Sequence, residues 1–261
     1  TLKKKVDDFL TARAKKKDYD VLYFTSETKA PVDNAVLELK NYEITVNGVR
    51  SVFLSDSQNV AIYPYNQQLV IGRNRNMKFD GVVQAGLFTI FGHDFFFSYD
   101  TFKIRMEHID SIRIAVETDQ KDEFGNPLIS EVDNLIQLTT AELFIDDPDN
   151  KSGLKSLEQY PIINAVSDSY IFWDQIPGLE GVYKKEDFYF KVDPFSYDNI
   201  DHYRQEDMSL KGEFHGGKIM EPVRHYLTIQ DNNSLGFDMA IPKEGIDIYG
   251  NKGILFDNLN M

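Results

Sequence analysis

The stretch HDFFFSYDTF, residues 93–102, returns as EDFYFKVDPF at residues 186–195. Asp94, Phe95, Phe97, Asp100 and Phe102 answer Asp187, Phe188, Phe190, Asp193 and Phe195, and Phe96 answers Tyr189. In an extended chain successive side chains point to opposite faces, so Phe95 and Phe97 share one face and Phe96 takes the other. A strand apolar on both faces is buried between layers or lies in an extended stack, and each aromatic buries roughly 150–250 Å². The four phenylalanines Phe95, Phe97, Phe188 and Phe190 are therefore expected in the core. Asp94 and Asp187, at the strand entrances, are expected to bond local backbone as turn formers. An aromatic platform for sugar or lipid is the sharper alternative.

A second pair of related stretches accompanies the first. FDGVVQAGLF (79–88) and LKGEFHGGKI (210–219) share one spacing of apolar and small residues, with Gly81 and Gly86 answering Gly212 and Gly217. Such glycines permit tight bends or bulges where strands change direction. The glycine and aromatic stretches occur in opposite order in the two copies, as expected if two elements alternate along a long array.

Working outward, the period of the apolar residues fixes the rest. In TLKKKVDDFLTARAKKK (1–17), Leu2, Val6, Phe9, Leu10 and Ala14 fall on one face at 3.6 periodicity, with Thr1 as N-cap. This reads as a solvated helix packing a narrow stripe, with contact to an anionic membrane as the alternative. From Asp20 the period becomes two: DVLYFTS, AVLELK, YEITVNGV, NVAIYPY, QLVIGR, MKFDGVV, GLFTIFG, DFFFSYD, FKIRM and IDSIRIAVE read as short strands. A turn-rich insertion, TDQKDEFGNPLISE, follows, then NLIQLTTAELFI; residues 146–168 read as loop, and strands resume at SYIFWD. The expected organisation is a basic helix over 1–17, a first β unit over 18–145, a connector over 146–168 and a second β unit over 169–261. The final KGILFDNLNM reads as the start of a further strand, so the chain is expected to be an internal piece of a longer protein. The fold expected is all-β: an elongated, repeated antiparallel sheet array, sandwich or solenoid-like, with one N-terminal amphipathic helix.

Composition narrows the function. Phe and Tyr number 19 and 14 against one Trp, an enrichment that favours strands. Residues 1–17 hold seven basic and two acidic side chains, a net +5, which leaves −19 of the chain's −14 on residues 18–261. A body that acidic repels phosphate backbones, so nucleic acid is not an expected partner. The lack of cysteine excludes disulfides, thiolate zinc sites and a thiol nucleophile. No window approaches the roughly 18 consecutive apolar residues of a membrane-spanning helix.

Catalytic signatures are missing: there is no G-x-S-x-G, P-loop, G-x-G-x-x-G after a strand, or H-E-x-x-H. His93, His108, His202, His215 and His225 never fall at short metal-ligand spacing and read as structural or solvated. Asp174 and Asp238, each beside strand aromatics, are candidates only under a glycosidase reading. In DDPDNKSGLKSLE (146–158), Asp147, Asp149 and Glu158 echo a calcium-loop register, but Lys151 and Ser152 occupy positions where such a loop wants an oxygen ligand and a glycine. A turn with Pro148 at its second position and Asx side chains bonding the backbone fits better. No cofactor is expected.

Four stretches, LSDSQNVAIYP (54–64), NMKFDGVVQAGLF (76–88), DDPDNKSGLKSLEQYPI (146–162) and SLGFDMAIPKEGIDIYGNKG (234–253), together resemble a family of very large, repeat-containing, β-rich envelope proteins of Gram-negative bacteria. The resemblance spans nearly the whole chain. It implies an exported internal segment, periplasmic or at the cell surface, and brings no catalytic motif. The function expected is a non-catalytic structural or assembly module contacting other envelope proteins or further repeats of its own chain. The alternative is a ligand-handling module whose aromatic strands line a groove for an acyl chain or glycan.

Overall fold

The computed structural model describes residues 22, 24–55, 57–174, 181–241 and 245–250, and the backbone over 258–260. Strand accounts for 51% of the described residues and short helical turns for 6%, which makes them all-β. The helix expected over residues 2–16 lies outside the described residues.

The first strands are β1 (Ala35–Glu38), β2 (Glu43–Asn47), β3 (Val52–Ser55), β4 (Val60–Pro64) and β5 (Gln68–Ile71). Three long strands follow: β6 (Met77–Ala85), β7 (Phe88–Ser98) and β8 (Lys103–Lys121). Shorter ones come next, β9 (Pro127–Glu131), β10 (Ile136–Leu138), β11 (Ala141–Phe144), β12 (Ile162–Ala165) and β13 (Ser169–Phe172). The remainder are β14 (Phe188–Val192), β15 (Phe195–Tyr197), β16 (Leu210–Gly216), β17 (Val223–Ile229), β18 (Leu235–Gly236), β19 (Asp238–Ala240) and β20 (Asn258–Asn260). Ladders connect β1 to β18 into one large antiparallel sheet, and β19 pairs with β20.

The sequence divides the middle of the chain more finely than the backbone does. GLFTIFG and DFFFSYD form the single strand β7, and FKIRM and IDSIRIAVE the single strand β8. In β7 a bulge absorbs the interruption: Phe79 faces Phe95 and Gly81 faces Gly92, so His93 and Asp94 together oppose Asp80. Asp94 takes the left-handed conformation (φ 55°), which Asp tolerates, and its amide donates to Asp80 Oδ1 at 2.8 Å. The insertion at 118–131 closes as the β8–β9 hairpin, where Asp122 Oδ1 accepts from the Phe124 and Asn126 amides. The Asn126 side chain and these amides hold the Asp122 carboxyl below the usual range. The strand expected at DVLYFTS is not formed over Phe24–Ser26, and β12 lies inside the expected 146–168 connector.

Two compact units result, each taking non-contiguous chain. The first gathers residues up to Ile109 with Thr140–Asn164 and Ser196–Asp201; the second takes Asp110–Thr139, Ala165–Phe195 and the chain from His202. A single boundary at 146–168 therefore does not describe them. The reason is the length of β8: its early residues pair with β11, and its later ones with β10 and β9.

Each unit has its own aromatic core. In the first, Phe79 meets Phe95 edge to face with centroids 5.6 Å apart, and Phe97 meets Phe102 at 6.0 Å. In the second, Phe214 packs edge to face on Phe188 (5.0 Å) and Trp173 (6.0 Å), and the Trp173 indole donates to the Leu235 carbonyl at 3.2 Å. Pairs in this geometry contribute about 0.5–1.5 kcal/mol beyond the area they bury. Among the described residues no helix is long and apolar enough to cross a membrane.

Candidate functional site

The opening aromatics face inward. Phe95, Phe97 and Phe190 are at most 1% exposed and Phe188 is 8% exposed. In both copies the aromatic strand pairs antiparallel with the glycine-bearing strand, β7 with β6 and β14 with β16. The registers differ. Gly212 faces Val192, and the same register would set Gly81 opposite Tyr99, whereas it faces Gly92. The shared letters therefore place like strands side by side without making equivalent units.

The glycines divide by task. Gly86 and Gly217 follow β6 and β16 at positive φ, 52° and 61°, where a side chain would be strained. Gly81 and Gly212 sit inside strands and meet neighbouring backbone closely. A Cβ on Gly81 would overlap Tyr63 and Pro64 of β4; one on Gly212 would overlap the Lys191 carbonyl and the Phe190 ring.

The two aspartates also diverge. Asp94 sits at the bulge in the middle of β7, not at a strand entrance, and its carboxylate lies 2.9 Å from His108 Nδ1. Asp187 does sit at a turn before β14, where its amide and that of Phe188 both donate to the Lys184 carbonyl.

The loop at 146–158 is organised by a residue not singled out in the sequence. Asp146, 1% exposed, accepts from the Asp147 amide (2.7 Å), Asn150 Nδ2 (2.9 Å) and Gln58 Nε2 (3.3 Å). Asp147 caps the 3₁₀ turn Pro148–Asn150 by accepting from the Asp149 amide at 2.8 Å. Burial, then the charges of Asp147 and Asp146, push the nearby Tyr160 phenol above its ordinary value. The carboxylates serve the fold of the turn, and among the described residues no three His, Cys, Asp or Glu gather to hold a metal ion. Adding calcium is expected to leave the melting temperature within about 1 °C. A rise of several degrees, which binding to the native state alone would produce, would restore Asp147, Asp149 and Glu158 as ligands.

Four histidines lie beside carboxylates: His93 near Asp80 (3.8 Å), His108 near Asp94 (2.9 Å), His202 near Glu117 (2.8 Å) and His215 near Glu213 (2.8 Å). The His215–Glu213 approach is off the line of a hydrogen bond. His225 stacks on Phe237. Asp174 is 3.7 Å from Lys185, and Asp238 is exposed on β19.

Each unit has a shallow cleft. One of about 340 Å³ in the second unit is lined by Glu117, Asp119, Arg204, Glu206 and Thr228 among others. Arg204 lies 2.6 Å from Glu206 and His202 lies 2.8 Å from Glu117, and with Asp119 the charged lining is net acidic. One of about 200 Å³ in the first unit is lined by Tyr65, Lys78, Asp80 and Asp94 with neighbouring β5 residues.

The most developed surface feature is aromatic. On β13, β14 and β16 the residues alternating with the core are Tyr170 and Phe172, Tyr189 and Lys191, and Lys211, Glu213 and His215. Phe172 faces Tyr189, which faces His215; Tyr170 faces Lys191, which faces Glu213. The Tyr189 and His215 rings stack at 4.4 Å and 12°, and Tyr170 and Phe172 lie within 18° of parallel. Asp168, 2.8 Å from Lys191, raises that ammonium's pKa through its hydrogen bond. The sequence signal was present as the i, i+2 pair Tyr170 and Phe172 in SYIFWD and as Tyr189 between the core phenylalanines of DFYF, but only strand order brings them to one face. Compared with known proteins, the chain matches no family model, no curated protein and no solved structure.

Proposed function

We propose that the chain is a non-catalytic structural or assembly module of a large bacterial envelope protein. It would form one stretch of an elongated, repeated antiparallel array that contacts other envelope proteins or further repeats of its own chain. The four stretches that resemble the repeat-containing envelope family support the setting. The observation that carries the contact role is β1. All four of its residues are exposed, and among the described residues it pairs with β2 alone. Val36 (51%), Leu37 (54%) and, just beyond, Leu39 (73%) present apolar side chains beside a strand edge that no second strand covers among the described residues. Such an edge accepts an additional strand, with the backbone supplying hydrogen bonds and the side chains specificity.

The alternative groove for an acyl chain or glycan, lined by the aromatic repeats, is not favoured. Phe95, Phe97, Phe188 and Phe190 are packed in core instead. The test is cross-linking of the full-length protein in its native envelope. Partners are expected to cross-link through β1, and Val36→Lys with Leu37→Lys is expected to cut that yield about tenfold. The melting temperature should stay within about 2 °C, because surface substitutions usually change stability by less than about 0.5 kcal/mol. A monomer with no cross-linked partner, or one that turns over a substrate, would overturn the reading.

A further inference from the structure

We infer that the open edge of β1 pairs with β1 of a second copy of this chain, antiparallel and about a twofold axis at Val36. Such a pairing presupposes the contact role of β1 and specifies its partner.

The backbone decides which groups are on offer. In an antiparallel ladder each residue turns its N–H and C=O to one side, and the side alternates along the strand. Asn34 and Glu38 turn toward β2 and its turn, since their carbonyls accept from the Asn47 and Tyr42 amides at 2.8 and 2.9 Å. Val36 shares their parity and faces Thr45 of β2. Ala35 and Leu37 therefore hold their N–H and C=O outward. The devices that usually shield such an edge are missing. Ala35–Glu38 contains no lysine or proline, and its register with β2 runs without a bulge.

Side chains and charge then select the strand that fits. With Ala35 opposite the other copy's Leu37, the outward groups of both residues are satisfied in each copy. Val36 then lies opposite Val36, in the non-hydrogen-bonded position where side chains come closest. Within the strand a small residue meets a large one on one face, and two β-branched residues meet on the other. Sliding the partner by two residues, the next step that keeps outward groups facing each other, sets Val36 against Asn34 or Glu38 instead. Charge fixes the direction. Asp33 precedes the strand and Lys40 follows it. Antiparallel pairing brings Asp33 of each copy beside the Leu39–Lys40 end of the other, whereas parallel pairing sets acid beside acid and base beside base. An edge with an acid at its start and a base at its end calls for a strand of the same design running the other way, and β1 is such a strand. The contact is small, so the dimer is of the weak, reversible class.

The chain has no cysteine, so single cysteine substitutions trap a weak dimer and report its register directly. Across the axis the two Val36 Cα atoms are roughly 4.5 Å apart, within the roughly 4.4–6.8 Å that a disulfide spans. The two Leu39 residues are roughly 20 Å apart, because six residues separate each from the position facing its copy. Under mild oxidation Val36→Cys is expected to give about tenfold more disulfide-linked dimer than Leu39→Cys. Leu39 is the more exposed of the two (73% against 51%), so random collision would favour the opposite result. In sedimentation equilibrium the parent chain should dimerise as its concentration rises. Leu37→Pro removes an outward N–H that β2 does not use and should weaken that dimer about tenfold. Thermal melting checks that this variant is folded, and the cysteine pair decides the register whether or not it is. Equal trapping at the two positions, a parent chain that stays monomeric, or a dimer indifferent to Leu37→Pro in the folded variant would overturn the inference. Capture of β1 by a different protein in the envelope, with no Val36→Cys dimer, would overturn it too while leaving the contact role of β1 intact.

Discussion

Replacing Phe190 by alanine is expected to destabilise the second unit by about 3–5 kcal/mol. Phe190 is fully buried, faces Phe214 across the β14–β16 ladder and packs on Phe237 at 6.4 Å. Its ring also covers Gly212, so truncation leaves a void against bare backbone as well as losing the transfer free energy of the side chain. Domains have only about 5–15 kcal/mol in total, so the variant should express poorly or melt far below the parent. Phe97→Ala, equally buried in the first unit, should behave alike. A chemical-denaturation midpoint unchanged in either variant would show that these rings are not core.

Gly212→Ala should be nearly as damaging, about 3 kcal/mol, for the opposite reason. Gly212 faces Val192 in mid-ladder, and a Cβ there meets the Lys191 carbonyl and the Phe190 ring. A carbonyl held in a ladder cannot step aside as a side-chain tip can, so β14 and β16 must separate or the Phe190 ring must leave its rotamer. Gly125→Ala is the control. Gly125 has φ 87° with nothing within 4 Å, so it carries only the backbone term of about 1–2 kcal/mol. Equal losses at the two positions would mean that β16 relaxes freely and that close approach is not what requires glycine there.

The two substitutions probe one arrangement, a phenylalanine ring laid over a glycine. In the first unit Phe95 lies over Gly92 of its own strand, β7, across the bulge at His93–Asp94. At Gly212 the requirement comes from a ring on the neighbouring strand, whereas at Gly81 it comes from the β4 backbone, so the matching glycines of the two stretches answer different neighbours.

Period-two alternation was enough to make the chain all-β and to send Phe95, Phe97, Phe188 and Phe190 inward, because side-chain direction in a strand is set by local geometry alone. The alternation could not show that DFFFSYD continues GLFTIFG. A β-bulge at His93–Asp94 costs one extra residue and needs a partner carboxylate, Asp80, fourteen residues earlier. Nor could it divide the chain into units, since both ends of β8 look alike as strand while pairing with different segments. Nothing local sets Asp146 apart from Asp147 and Asp149, because its burial depends on Gln58 arriving from 88 residues earlier. The row Phe172, Tyr189 and His215 came from three separate stretches for the same reason. Which residues face one way along a strand is local, but which strands lie side by side is decided by pairing across the chain, and only the tertiary structure holds that.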